Sequence, residues 1–269
     1  MRAVCRIIAL VLGNLISFPI VSALSLFPGS SRSRFLIWYF RISARIIGMR
    51  VRLIGVPGAS GRPVIFVSNH TSWLDIPALG SVLTASFVAK AGVAKWPVIG
   101  TMAKLFRSVF VSRQKSTLAQ ESGEIRARLD AGDSLILFPE ATSSDGARVL
   151  PFRSSFFALA TSQNPPLFQP VSVVYDQLAG LPANRSTRPV FAWYGDMRLP
   201  PHFWYLAQQP SFRCTILLHP PLDPANFAGR KDLALAAHRA VAEGAALLRQ
   251  NRPIDAIQSA DPALSPSYA

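Results

Sequence analysis

The chain has 269 residues, enough for one large domain plus an appended segment. Half of the residues are hydrophobic and the mean hydropathy is +0.28, a high value for a freely soluble protein. The 28 lysines and arginines outnumber the 14 acidic residues, so the net charge is +14. So basic a chain suits an anionic lipid surface or nucleic acid, but no nucleic-acid-binding motif accompanies the charge. Cys5 and Cys214, the two cysteines of the chain, are interpreted as buried or lipid-facing side chains and not as a disulfide framework. No histidine has metal-ligand spacing, which argues against a structural metal.

The first 50 residues are predicted to be a membrane-anchoring helical segment. No charged residue occurs from Ile7 to Phe27, and these 21 residues are long enough to span a bilayer. Gly13-Asn14 and Pro19 interrupt the run. We therefore expect it either to span the membrane or to lie in one leaflet as a broken helical hairpin.

A second segment, from Arg34 to Arg50, combines aromatic and aliphatic residues with arginines, as interfacial helices do. Nine arginines and no acidic residue precede Asp75, which fits attraction to anionic lipid. A cleavable signal peptide is the alternative, because Arg2 and Arg6 precede the apolar run. The basic segment that follows directly favours a retained anchor.

Residues 51–256 have the texture of a globular α/β domain, and residues 257–269 are predicted to be a disordered tail. Helices are predicted at Ser116–Asp130, where Ser116 is a plausible N-cap, and at Leu233–Arg249. Alternating strands and helices predict a mixed, largely parallel sheet flanked by helices. The predicted strands are Val51–Ile54, Val64–Ser68, Ser86–Ala89, Ser108–Val111, Ser134–Phe138, Phe168–Val174, Val190–Tyr194 and Cys214–Leu218.

His70 and Asp75 form the first candidate site. His70 follows the predicted strand Val64–Ser68, and the carboxyl ends of strands are where open α/β sheets place their ligands. Thr71 or Ser72 can cap the helix that follows, and Asp75 in its first turns can reach back to the imidazole. Hydroxyl attack on a thioester needs a base held in one tautomer, which a His–Asp pair supplies. The bare spacing is also typical of a structural histidine beside a capping aspartate.

Four ordered blocks decide between these two interpretations. The blocks are Asn69-His70-x4-Asp75, Val109-Phe-Val-Ser-Arg113, Phe138-Pro-Glu-Ala-Thr142 and Gln169-Pro-Val-Ser-Val173. In order and spacing they resemble the glycerolipid acyltransferase family, typified by 1-acylglycerol-3-phosphate acyltransferases. The resemblance implies that His70 is the general base, that Asp75 is its partner and that Arg113 helps to bind the acceptor. It also implies acyl-carrier protein or acyl-CoA as the acyl donor, with no cofactor and no metal.

The chain departs from the family pattern where phosphate is bound. The third block usually reads FPEGTR in phosphate-acceptor enzymes, but here Ala141 replaces the glycine and Ser143 replaces the arginine. Arg107 stands where a glycine usually opens the second block. A bidentate phosphate contact is worth about 1.5–3 kcal/mol, so its loss argues against a phosphate acceptor unless Arg107, Arg148 or Arg153 compensates.

The segments Thr142–Arg153, Trp193–Met197 and Pro201–Trp204 resemble the lyso-ornithine lipid acyltransferase branch, which esterifies a hydroxyl of a phosphate-free lipid. The resemblance predicts a membrane-associated O-acyltransferase that makes ornithine lipid, in the cell inner membrane with its active site facing the cytoplasm. The alternatives are a 1-acyl-sn-glycerol-3-phosphate acyltransferase that makes phosphatidic acid and a non-catalytic lipid-binding protein. Glu140 either positions the acceptor head group or caps backbone amides. The predicted substrate-binding residues are Arg113, Phe138, Pro139, Glu140, Thr142 and Ser143.

Overall fold

The computed structural model of the chain describes residues 1–26, 31–58, 61–96, 99–112 and 118–253. Arg113, the predicted N-cap Ser116 and the predicted disordered tail 257–269 lie outside these ranges. The helices are α1 (Arg2–Ser25), α2 (Ser31–Ile47), α3 (Asp75–Gly80), α4 (Ile99–Leu105), α5 (Leu118–Asp130), α6 (Leu199–Gln208) and α7 (Arg230–Arg249). The strands are β1 (Met49–Ile54), β2 (Val64–Ser68), β3 (Ser86–Lys90), β4 (Val109–Val111), β5 (Leu135–Leu137), β6 (Leu167–Leu178), β7 (Leu181–Pro182) and β8 (Phe212–Leu218).

The strands form one sheet in the order β1-β8-β6-β2-β5-β3-β4, with β7 paired to β6. β6 runs antiparallel to β8 and β7, and the other pairs are parallel. The predicted mixed, largely parallel sheet flanked by helices is therefore confirmed. All five residues of β2 are buried, as expected for a central strand that is covered on both faces.

One predicted strand, Val190–Tyr194, is wrong. A short 3-10 helix occupies Arg188–Val190, and the two following residues continue as a turn, in which the Ala192 N–H donates to the Pro189 carbonyl over 3.2 Å. Phe191 and Ala192 are fully buried. The apolar composition of Val190–Tyr194 therefore reflects a buried loop and not an extended strand. Pro189 fixes the φ angle at the start of this turn.

The first apolar segment is one unbroken helix, so the predicted interruption at Gly13-Asn14 and Pro19 is wrong. The Asn14 side chain donates to the Leu10 carbonyl over 2.8 Å, which keeps this residue inside the helix. Pro19 lies within α1 without ending it. Among the described residues α1 is the one helix long and apolar enough to cross a membrane, and its most apolar stretch, within Arg2–Leu24, has a mean hydropathy of 2.3.

α1 and α2 pack against each other and join the domain. Arg6 of α1 donates to the backbone carbonyls of Ala207 and Gln209 over 3.0 and 2.6 Å. Phe40 and Ile47 of α2 are buried in the hydrophobic core, on the face of the sheet that α1 also covers. The helical segment at the N-terminus is therefore both the most apolar part of the surface and a layer of the folded domain.

The two faces of the sheet carry different helices. α1, α2, α3, α4 and α6 contribute to the core on one face. α5, α7 and a 3-10 helix at Ser154–Thr161 pack on the other. The loop between β2 and α3 leaves the carboxyl edge of the central strand and leads into α3, which packs on the first face.

Candidate active site

His70 and Asp75 are joined by a hydrogen bond at the carboxyl end of β2. The distance from His70 Nδ1 to Asp75 Oδ2 is 2.8 Å. The Asp75 side chain is fully buried, whereas 20% of the His70 side chain is exposed. Because Nδ1 faces the carboxylate, the carboxylate holds the Nδ1–H tautomer and leaves Nε2 as the proton acceptor.

Three further donors fix the Asp75 carboxylate. The backbone N–H groups of Thr71 and Ser72 donate to Oδ2 over 2.8 and 3.0 Å, and the Tyr175 hydroxyl donates to Oδ1 over 2.6 Å. Burial, reinforced by the Asp75 charge, raises the pKa of Tyr175 well above its ordinary value, so this hydroxyl keeps its proton. The predicted capping by Thr71 or Ser72 is wrong, because α3 has no side-chain cap and Asp75 accepts from their backbone instead.

Glu140 links the first and third sequence blocks from inside the fold. Its Oε1 accepts from the His70 N–H over 2.9 Å and its Oε2 accepts from the Leu150 N–H over 3.1 Å. The residue is only 3% exposed. Its carboxylate therefore caps backbone amides, which was one of the two predicted roles, and contact with an acceptor stays a prediction.

Burial raises the pKa of Glu140 from 4.5 to about 8, although its two backbone hydrogen bonds act in the opposite direction. Between these two values the folded chain binds this proton more tightly than the unfolded chain. The free energy of unfolding should therefore fall as pH rises through this window. Glu140→Gln should remove this part of the pH dependence of stability, because glutamine does not titrate. Its amide oxygen can still accept from the His70 N–H.

The check is chemical denaturation of wild type and Glu140→Gln at about pH 5 and about pH 9. The wild type should lose more stability than the variant between the two conditions. Equal losses in the two proteins would show that Glu140 does not titrate in this range.

The rest of the third block surrounds the imidazole from one side. The Phe138 ring stacks on the His70 ring with centroids 4.1 Å apart. Pro139 is buried, and its carbonyl accepts from the Arg153 N–H over 3.0 Å. Ala141 has a φ of 64° in the left-handed region, which explains why glycine is the usual residue at this position.

Thr142 is exposed and Ser143 is half-buried. The next residue, Ser144, donates from its backbone N–H to the His70 carbonyl over 2.9 Å. The structure thus brings Asp75, Phe138 and Glu140 into contact with His70, while Pro139, Thr142 and Ser143 follow in the same segment. Arg113 lies outside the described residues.

Tyr175 and Asn69 are site residues to which the sequence analysis gives no role. Asn69 exchanges two hydrogen bonds with the backbone of Val173, over 2.9 and 2.8 Å, and so ties the loop between β2 and α3 to β6. Tyr175 continues the β6 face that carries Val171 and Val173 into the core. In the sequence it looks like one more core aromatic, because only the tertiary fold places its hydroxyl against Asp75.

Comparison with known proteins finds acyltransferases among the relatives of this chain. A family model described as Acyltransferase matches residues 50–174. A lyso-ornithine lipid O-acyltransferase from Brucella abortus is 38% identical over 204 residues, which cover 73% of this chain and 76% of that protein. A 1-acyl-sn-glycerol-3-phosphate acyltransferase from Neisseria gonorrhoeae is 32% identical over 142 residues, 52% of this chain and 53% of that protein.

The fold also has a counterpart among solved structures. The crystal structure of a 1-acyl-sn-glycerophosphate acyltransferase from Thermotoga maritima superposes with a TM-score of 0.64, covering 91% of this chain and 98% of that one. The two sequences are 21% identical, so this likeness concerns the fold alone.

Proposed function

Because the chain belongs to the acyltransferase family, we propose that it transfers a fatty acyl group to the hydroxyl of lyso-ornithine lipid and so forms ornithine lipid. The observation that carries the reaction type is the buried Asp75 carboxylate, held by three donors and bonded to His70 at 2.8 Å. The Brucella relative, which bears this activity in its name, supports the choice of acceptor.

In the proposed reaction, His70 is the general base. Its Nε2 takes the proton of the acceptor hydroxyl as the oxygen attacks the carbonyl carbon of an acyl thioester. The C–O bond forms, the C–S bond breaks, and the departing thiolate receives the proton from the imidazolium. Asp75 stabilises that imidazolium and holds its orientation. Acyl-carrier protein or acyl-CoA is the proposed donor, and no cofactor or metal is part of the proposal.

The acceptor proposal depends on Ser143, which stands where phosphate-binding relatives carry arginine. Arg107 does not replace that arginine, because it directly precedes the amino end of β4, the edge of the parallel strands opposite His70. Arg148 is a better candidate than Arg107. It lines a small cavity together with Asn69 and Thr71, the two residues on either side of His70 in the sequence. We propose that Arg148 meets the carboxylate of an ornithine head group.

Ser143→Arg should raise kcat/KM for lysophosphatidic acid relative to kcat/KM for lyso-ornithine lipid. The new guanidinium restores charge-assisted bonds to a phosphate and repels the amines of the ornithine head group. We expect the ratio to change by about tenfold or more, since such bonds are worth about 1.5–3 kcal/mol. Ser143→Gln, which adds a long polar side chain without charge, is the matched control. If Ser143→Arg leaves the ratio of the two kcat/KM values unchanged, Ser143 does not contact the acceptor.

Phosphatidic acid synthesis is the second candidate, because the Neisseria relative carries that activity in its name. Arg148 and Arg153 are both exposed on the loop after Ser143, and a phosphate could recruit them. The preference of the wild-type enzyme between the two acceptors separates the two candidates. A non-catalytic lipid-binding role does not account for a carboxylate buried against the imidazole.

We propose that the protein resides in the cell inner membrane with His70 facing the cytoplasm. Acyl-carrier protein and acyl-CoA are cytoplasmic molecules, so the site must be open to that side. The nine arginines that precede the first acidic residue fit the same orientation, since basic residues favour the cytoplasmic side. α1 packs into the fold through Arg6 and the buried Val21, which supports a retained anchor over a cleaved signal peptide.

A further inference from the structure

A cavity of about 230 Å³ lies between the first turns of α2 and the amino ends of β3 and β5. Ser86 at the start of β3 and Ser134 just before β5 line it, so it opens at the edge of the sheet opposite His70. The proposed reaction does not use this cavity. Its apolar wall is formed by Leu36, Ile37, Phe40, Leu83, Phe87 and Phe106.

Positive charge is concentrated beside this apolar wall. Arg32 lines the cavity, and Arg107 and Arg128 each contact the Asp133 carboxylate at 3.3 Å. Asp133 is the one acidic residue that lines the cavity in the described part of the chain. Three arginines and one aspartate leave a local charge of 3 − 1 = +2. Burial lowers the pKa of Arg32 and the charge of Arg107 adds to this, while the charge of Asp133 acts in the opposite direction.

Arg107 occupies a backbone conformation that does not suit it. Its φ is 58°, in the left-handed region, where a residue other than glycine costs about 1–2 kcal/mol. The left-handed residue belongs to the turn that ends α4, in which the Ser108 N–H donates to the Ala103 carbonyl over 2.9 Å. This turn places the Arg107 guanidinium 3.3 Å from the carboxylate of Asp133, which lines the cavity.

We infer that this cavity is a second lipid site, which takes an acyl chain along α2 and binds a phosphate head group through Arg32 and Arg107. The apolar wall suits a chain, and the net charge suits an anion held by guanidinium groups. α1, whose outer surface exposes Leu12, Leu15 and Ile16, packs on α2. An anionic phospholipid of the surrounding membrane is therefore the occupant that this geometry favours.

The test is calorimetric binding of dodecyl phosphate, below its micelle concentration, to the full-length protein. Wild type should bind dodecyl phosphate at least about tenfold more tightly than inorganic phosphate, because the chain adds apolar burial. Arg107→Gly should weaken the binding of dodecyl phosphate by about tenfold or more. Glycine also adopts the left-handed backbone conformation without strain. Ser33→Phe, which fills the cavity from α2, should weaken it as well. Arg126→Gln on α5 removes an equal charge away from the cavity and should change nothing.

Two results would overturn the inference. If both Arg107→Gly and Ser33→Phe bind dodecyl phosphate as tightly as wild type, the ligand binds elsewhere on the protein. If wild type binds inorganic phosphate as tightly as dodecyl phosphate, the cavity does not bind the acyl chain. Thermal unfolding shows that each variant is folded, and Ile37→Phe replaces Ser33→Phe if the latter is not. His70→Ala should bind dodecyl phosphate as wild type does, which keeps this test separate from the proposed function.

Discussion

Replacing His70 with alanine should reduce acyl transfer by at least about 10²-fold, the lower end of what a general base contributes. Asp75→Asn should also impair transfer, because a neutral amide cannot stabilise the imidazolium that forms when His70 takes the proton. Initial rates with saturating donor measure both effects. The loss should appear in kcat, since His70 acts on the proton that moves in the transition state.

The controls separate chemistry from folding. His238→Ala removes a histidine on α7, which packs on the other face of the sheet, and should keep wild-type turnover. Tyr175→Phe removes one of the bonds to Asp75 and should have a smaller effect than Asp75→Asn. Near-normal turnover in folded His70→Ala would show that another group takes the proton.

Leu15→Asp in α1 should shift the protein from the membrane fraction to the soluble fraction. Leu15 is 66% exposed in the folded chain, so the substitution removes no packing within the domain. An aspartate at the centre of a membrane-inserted helix costs about 2.5–3.5 kcal/mol, which corresponds to about 10²-fold in partitioning. Flotation with vesicles of fixed anionic composition measures the change. Adding Ile16→Asp, at a neighbouring residue that is 63% exposed, should increase it.

Leu235→Asp is the matched control, since Leu235 is 57% exposed on α7, and it should float as wild type does. If Leu15→Asp and Leu235→Asp float equally well, α1 is not the membrane-binding surface. Deletion of the whole segment is a poorer test, because Phe40, Ala44 and Ile47 of α2 belong to the domain core.

The strands that border the site were predictable because each is a short, continuous apolar run bounded by polar or turn residues. Val64–Ser68 is the clearest case, and the structure reproduces its bounds. The same signal failed at Val190–Tyr194, where residues as apolar as those of a strand are buried in a loop. The predicted interruption at Pro19 failed for a different reason. A helix tolerates a proline when other groups or local adjustments satisfy the carbonyl that the proline leaves without a donor.

The pairing of His70 with Asp75 was predictable from five residues of local spacing, whereas the groups that fix it were not. Tyr175 is one hundred positions from Asp75 in the sequence. The hydrogen bonds of Glu140 to the backbone of His70 likewise depend on β2 and β5 being neighbours. Arg107 illustrates the converse error. Its sequence position beside a predicted acceptor-binding block suggests a substrate contact, but parallel strands place it at the opposite edge of the sheet.

The most direct test of the central claim is competition between two acceptors for the purified wild-type enzyme. Equal concentrations of lyso-ornithine lipid and lysophosphatidic acid are offered with a labelled acyl thioester in mixed micelles. The ratio of labelled products reports the ratio of kcat/KM values. The account predicts that ornithine lipid is the main product and that His70→Ala forms neither product above about one hundredth of the wild-type rate. Predominant formation of phosphatidic acid by wild type would contradict it.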